Sequence, residues 1–315
     1  MMNSGNLIYK YHFSKLTWLE GIVKPTLWRK KESVNSFSFC GEGNKCELLQ
    51  HVFNINNLEG KYLEAVSGDG HEEKRITVLH SSSLAALLFF HGISHDNPMS
   101  MVLDGDKYTF TDVHFECKTV VCGSHKSNMD VVLVGHSEKY GKTVLFLECK
   151  FSEYLNTGKY VGISSNVYKD TYEKLGLFDG AITNMKAKCM DDEDTFELVQ
   201  CAPYQYCAGI KQLISHYMGI RNLMKGGYKS EDEKDFSLDF TPNKVLLAEV
   251  LFRFTDKIDN KNRLKEYGKA YQELAVAINK LSENGVFHMV SECLTYDYLL
   301  KDSALPSRIK DFYQL

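Results

Sequence analysis

Long apolar runs are missing from this chain. The longest, Leu84–Phe90, has seven residues, where a membrane-crossing helix needs about twenty. The opening stretch "MMNSGNLIYKYHF" has no positive segment followed by a long apolar one, so no secretory leader is expected. There is no C-x-x-C, and nine cysteines is an odd number at scattered spacings, which speaks against a disulfide framework and for reduced thiols. Internal repeats and low-complexity segments are also missing. These absences exclude membrane spans, solenoids, fibres and small disulfide scaffolds, and they lead to the expectation of a cytoplasmic protein.

What is present is ordinary globular composition. Of 315 residues, 43% are hydrophobic and 25% charged. The net charge of −4 argues against indiscriminate coating of nucleic acid, but the charge is unevenly spread. Residues 1–31 hold Lys10, Lys15, Lys24, Arg29, Lys30 and Lys31 against the single acid Glu20. Residues 205–229 hold Lys211, Arg221, Lys225 and Lys229 and no acid. The acids gather in "DDED" (191–194) and "SEDEKD" (230–235). Such a chain could offer a basic face to phosphates while staying acidic overall. Taken singly, each cluster also reads as a solvated face or loop.

The element pattern is alternating. "SSSLAALLFFHGIS" (81–94) predicts a buried helix capped by Ser82 or Ser83. "MVLDGDKYTF" predicts two strands joined by an Asp-Gly turn, the second running on through "TFTDVHFECKTVV". "MDVVLVG" (129–135) and "TVLFLECKF" are partner strands about the polar loop "HSEKYGK". From about Tyr204 to Met224, Ile210, Leu213, Ile214, Tyr217 and Met218 recur at helical spacing, closed by Gly226–Gly227. "KVLLAEVLFRF" (244–254) is another buried strand. Residues 262–285 form a long amphipathic helix carrying Leu264, Tyr267, Tyr271, Leu274, Ile278 and Leu281 on one face, with Gly285 as its stop. The order helix, three strands, helix, strand over 81–255 is that of a mixed α/β sandwich. Residues 1–80 form an N-terminal extension, and 256–315 a C-terminal helical segment packed on the core.

The chemistry gathers where "TVLFLECKFSEY" turns from an apolar strand into Glu148, Cys149 and Lys150. Glu-x-Lys occurs four times, at Glu59–Lys61, Glu72–Lys74, Glu116–Lys118 and Glu148–Lys150, so context must choose. In a strand Glu148 and Lys150 share a face and Cys149 points away. A hairpin centred near Lys139 sets Asp130 opposite Glu148, with β-carbons about 5 Å apart, so both carboxylates can reach one divalent cation. An uncompensated carboxylate beside an apolar sheet is costly, and a cation together with Lys150 removes that cost. Two carboxylates on Mg²⁺ with a neighbouring lysine suit phosphodiester hydrolysis. Glu116 is an accessory acid on the neighbouring strand.

With these residues in place, "SNMDVVLVG…TVLFLECKFSEY" resembles the PD-(D/E)xK nucleases, the restriction-endonuclease-like superfamily. Asp130, Glu148 and Lys150 fall on its Asp, Glu and Lys, and Gln212 in "GIKQLISHY" on the polar residue of its following helix. Met129 stands where the family often has Pro, and His216, followed by Tyr217, where many members have Tyr. The resemblance covers residues 80–255. It implies a restriction-endonuclease-like mixed sheet flanked by helices, with extra N- and C-terminal segments. It further implies a Mg²⁺- or Mn²⁺-dependent endonuclease on DNA that leaves a 5′-phosphate. Asp130, Glu148 and the Cys149 carbonyl would be metal ligands, Lys150 would orient the water, Glu116 and Gln212 would assist, and a homodimer is possible.

Other residues have blander readings. Gln212 and His216 are one turn apart and are either a hydrogen-bonded pair at the core edge or part of the site; His216 is assigned no catalytic role. Tyr160, Tyr168 and Tyr172 could stack on bases or simply pack. Cys40/Cys46 and Cys201/Cys207 are C-x₅-C pairs, wider than structural zinc favours. Two further readings stand beside the nuclease: a non-catalytic nucleic-acid-binding module of the same fold, and a thiol or zinc protein built on those pairs.

Overall fold

The computed structural model describes residues 4–27, 35–41, 43–68, 72–155, 160–163, 170–171, 174, 182–190, 193–200, 209–259, 261–282, 285–299 and 305–314. Near the N-terminus β1 (Val23–Leu27) pairs antiparallel with β2 (Asn35–Phe39). The main sheet begins with β3 (Met99–Leu103), β4 (Asp106–Cys122), β5 (His125–Ser137) and β6 (Gly141–Lys150), an antiparallel meander. A separate antiparallel sheet follows, from β7 (Tyr160–Ile163), β8 (Ile182–Met190) and β9 (Glu193–Gln200) in the order β7-β9-β8. The chain then returns as β10 (Lys244–Leu251), parallel to β6, and ends the sheet with β11 (Phe287–Met289) and β12 (Leu294–Thr295) beside β10. The result is a seven-stranded mixed sheet in the order β11-β10-β6-β5-β4-β3, with β12 also on β10.

Local chemistry explains the turns. Asp104 and Gly105 both take positive φ, 48° and 85°, the two-residue turn that suits the twist of β3 and β4. Ser137 pairs with Gly141, so the β5–β6 loop is centred on Lys139. β6 and β10 read as almost unbroken apolar runs because both lie inside the sheet and are buried along most of their length.

Helices flank the sheet. Ser82–Phe90 packs on β5 and β6, and its residues from Leu84 to Phe90 are all buried, as an all-round apolar helix requires. Its cap is Ser81, one residue before the expected pair: the Ser81 side chain accepts from the Leu84 N–H at 3.4 Å. The helix Ile210–Lys225 packs on β4 and β5 and ends at Gly226, as the paired glycines predict. Residues 204–208 of its expected span lie outside the described residues. The helix Arg263–Leu281 buries Tyr267, Ala270, Tyr271, Leu274, Ala275 and Ile278. It stops at Ser282, before Gly285, whose φ of 64° serves the next turn instead.

Both ends of the chain join the core. Phe13 packs at a tilt against Phe312 at 4.7 Å between ring centroids, and Phe151 stacks on Phe252 at 4.5 Å. His12 Nε2 lies 3.0 Å from the Phe312 carbonyl oxygen. One continuous cluster of buried side chains runs from Ile8 to Tyr313. No helix among the described residues is long and apolar enough to cross a membrane.

Candidate active site

The β5–β6 ladder ends with Val131 opposite Leu147, so the next step sets Asp130 opposite Glu148. The strands part there, and the Asp130 side chain takes over from the backbone: its Oδ2 accepts from the Cys149 N–H at 2.7 Å. Across β4, Phe115 pairs with Val131 and Cys117 with Met129, which brackets Glu116 opposite Asp130. Glu116 has φ 50°, a left-handed kink that interrupts the ladder at this step. On the other side Glu249 of β10 is in register with Glu148. Four acids, Glu116, Asp130, Glu148 and Glu249, therefore occupy one row across four adjacent strands.

Glu148 is 1% exposed, and both its oxygens are engaged. Lys150 Nζ donates to Oε1 and also to Gln212 Oε1, the latter at 2.8 Å. His216 Nε2 donates to Oε2 at 2.6 Å, and His216 Nδ1 lies 2.6 Å from Ser127 Oγ. Helical spacing puts Gln212 and His216 on one face, which is how one helix serves both partners of the Glu-x-Lys pair. Burial alone would push the Glu148 carboxyl up, but Lys150 and His216 beside it hold it down to about 2. For Lys150, burial works against the charge, yet Glu148, Glu153, Asp130 and Glu249 raise its pKa above the ordinary lysine value. The two form a buried, ionised pair. The Cys149 side chain points into the packed layer, fully buried, and burial followed by Asp130 pushes its thiol up well above the usual range.

Asp130 is half-buried and differs from Glu148 in having no cation bonded to it among the described residues. Burial, then the charges of Glu148 and Glu116, raise its carboxyl well above the ordinary range. Glu116 itself is buried and accepts from Asn128 Nδ2. Repulsion among neighbouring acids is what a bound divalent cation offsets, so Asp130 fits a metal ligand with Glu148 beside it. Mg²⁺ is commonly held by one or two carboxylates with retained waters, and this donor set matches that pattern. It does not match a closed cage: among the described residues no three His, Cys, Asp or Glu side chains are grouped to hold an ion. Cys46 Sγ donates instead to Gln50 Oε1 at 3.3 Å, and Cys201 and Cys207 lie outside the described residues.

Glu249 escaped the sequence reading. Its signal was a lone acid within "KVLLAEVL", but only the parallel pairing of β10 with β6 brings it to the site. It is 0% exposed, and Tyr267 OH donates to its Oε1 at 2.6 Å. Burial pushes its carboxyl up to about 8, so at neutral pH it is largely protonated. Gly209, just before the Ile210 helix, comes so near that a Cβ there would lie 2.6 Å from the Tyr267 hydroxyl and 2.9 Å from Glu249 Oε1. Only glycine lets the helix start against this pair.

The expected basic surface is partly described. Lys10, Lys15, Lys24, Arg221, Lys225 and Lys229 are exposed and Lys211 is half-buried, while Arg29, Lys30 and Lys31 lie outside the described residues. So do Tyr168, Tyr172, Asp191 and Asp192 and the side chain of Tyr160. The chain matches no protein-family model, no curated protein and no solved structure.

Proposed function

We propose that the protein is a metal-dependent nuclease of the restriction-endonuclease-like kind that hydrolyses DNA phosphodiester bonds in the cytoplasm. The observation that carries this reading is the meeting of Asp130 with Glu148 and Lys150 at the open end of the β5–β6 hairpin, with Gln212 of the following helix on Lys150. The order of helix, antiparallel strands, helix and parallel strand around that hairpin supports it as well. Asp130 and Glu148, with the Cys149 carbonyl, would hold Mg²⁺ or Mn²⁺. When bound, the ion supplies charge to the phosphate and lowers the pKa of water.

The chain's own residues divide the remaining work. Lys150 keeps its proton, because Glu148 and the other nearby acids raise its pKa. It therefore acts as a donor and a fixed positive charge, orienting water and offsetting the charge that develops on phosphate oxygens. Gln212 Oε1 and Glu148 Oε1 fix where Nζ stands, and His216 with Ser127 fixes Glu148. Glu116, through Asn128, keeps a second acid beside Asp130. Exposed lysines of the N-terminal segment and of residues 205–229 would hold backbone phosphates, and two copies would serve two strands.

A second reading has one observation in its favour. Glu148 is 1% exposed with both oxygens engaged, which suits a charged pair kept for structure in a non-catalytic nucleic-acid-binding module. Cleavage of plasmid and single-stranded DNA separates the two. Wild type should cut with Mg²⁺ or Mn²⁺ and stop with EDTA, and Asp130→Asn and Lys150→Met should each cut about a hundredfold more slowly or worse. Equal cutting by wild type and Asp130→Asn would remove the nuclease reading from this site. Salt-dependent DNA binding by a wild type that never cuts would establish the binding module instead.

A further inference from the structure

The helix that brings Gln212 and His216 to the site continues beyond it and forms the wall of an open cleft of about 640 Å³. That volume falls within the range of about 300–1,000 Å³ that small-molecule sites occupy. Arg221 and Lys225 stand four residues apart on the wall, both exposed. Among the described residues neither has an ion-pair or hydrogen-bond partner. The floor is apolar, with Phe287 against Tyr217 at 5.5 Å between ring centroids, and Tyr228 and Met224 beside them. The hydroxyls of Tyr217 and Tyr228 have no protein partner among the described residues, and neither is shut off from solvent. The cleft thus combines two cations without a partner among the described residues and two free hydroxyls with an apolar floor. Neither the metal-ligand reading nor the Glu148 network uses any of these groups.

We infer that this cleft is a subsite for one nucleotide unit of a nucleic-acid strand, its phosphate held by Arg221 and Lys225 and its base resting on the floor beside Phe287 and Met224. The inference rests on the nucleic-acid reading above and deepens it. A phosphate alone would use the cations and leave the floor empty; an apolar ligand would leave both cations uncompensated. At 1.5 Å per residue, Arg221 lies about 14 Å along the helix axis from Gln212, so the cleft holds the strand away from the reacting bond. It grips substrate without touching the chemistry. A nucleoside monophosphate and a strand share the same recognition chemistry, and the test tells them apart.

The test is binding of a labelled short single-stranded oligonucleotide to the full chain across a salt series, for wild type and Arg221→Glu/Lys225→Glu. Unlabelled nucleoside monophosphate and inorganic phosphate serve as competitors. Both side chains are exposed, so the variant should keep the wild-type unfolding midpoint. We expect its Kd to rise about tenfold or more, and the slope of log affinity against log salt to shrink by about 0.7, which is one single-strand phosphate contact. Competition by the monophosphate but not by phosphate supports a nucleotide site. Equal competition by both, or an unchanged Kd and slope in the variant, overturns the inference and leaves the nuclease reading standing. Binding that depends on the cleft in a wild type that never cuts supports the subsite while the nuclease reading fails. A wild type that binds neither oligonucleotide nor monophosphate overturns the inference.

Discussion

Glu148 and Glu249 stand in register on neighbouring parallel strands, both essentially excluded from water, yet they differ in protonation state. Glu148 is held down to about 2 and is ionised, while Glu249 is pushed up to about 8 and keeps its proton at neutral pH. Burial is shared, so burial cannot explain the difference. Partners do. Glu148 bonds the cation Lys150 and the His216 ring, whereas Glu249 bonds the neutral hydroxyl of Tyr267 and has the Cys293 thiol at 3.9 Å. One sheet position makes a fixed charge for the site and the next makes a neutral buttress behind it.

The contrast breaks most violently at Lys150. Lys150→Ala would leave Glu148 buried without its nearest cation, so the unfolding free energy in urea should fall by about 3–5 kcal/mol. Glu148→Gln/Lys150→Met should recover more than half of that, because the stranded charge is gone. A single variant as stable as wild type would mean the pair is not buried in solution.

Gly209→Ala comes next. Its Cβ would press on Tyr267 and Glu249, and the expected cost is about 1–3 kcal/mol in the same assay.

Titration sharpens the comparison. Glu249 has a raised folded pKa, so the folded state keeps a proton that the unfolded chain has released. Its contribution is complete below the ordinary glutamate value of about 4.3 and is lost as pH rises towards about 8, by at most about 1.4 kcal/mol per unit. Glu148 has a depressed folded pKa, so its contribution is present above the ordinary value and is lost as pH falls towards about 2. Glu249→Gln, which mimics the protonated acid, should flatten the neutral-side loss and leave the acid-side loss intact. Urea midpoints measured across pH check both limbs, and an unchanged neutral limb would show that Glu249 is already ionised.

The smallest effect is expected for Ser127→Ala. It removes one hydroxyl from His216 and should cost about 1 kcal/mol. A much larger loss would show that Ser127, and not Lys150, holds Glu148 in place.

Much of the local architecture was legible in the residues. Asp104–Gly105 fixed a turn because two consecutive positive φ angles select that dipeptide, and the short loop about Lys139 fixed which residue of β5 faces Glu148. Boundaries were less legible. The cap moved from Ser82 or Ser83 to Ser81, because three consecutive serines offer three equivalent caps and packing chooses. The long helix ended before Gly285, because Ser282 leaves helical geometry first.

The sequence by itself determined the hairpin, and with it the meeting of Asp130, Glu148 and Lys150, since side-chain alternation and loop length are short-range properties of a strand. It also determined that Gln212 and His216 would act from one helical face. Only the tertiary structure decided that this face closes on Glu148, that Glu116 completes the row from β4, and that β10 lies parallel to β6 with Glu249 in register. A parallel pairing is made across a connection of more than ninety residues, from Lys150 to Lys244. No local pattern encodes its register, and the charge that each buried acid carries follows from neighbours that only the fold supplies.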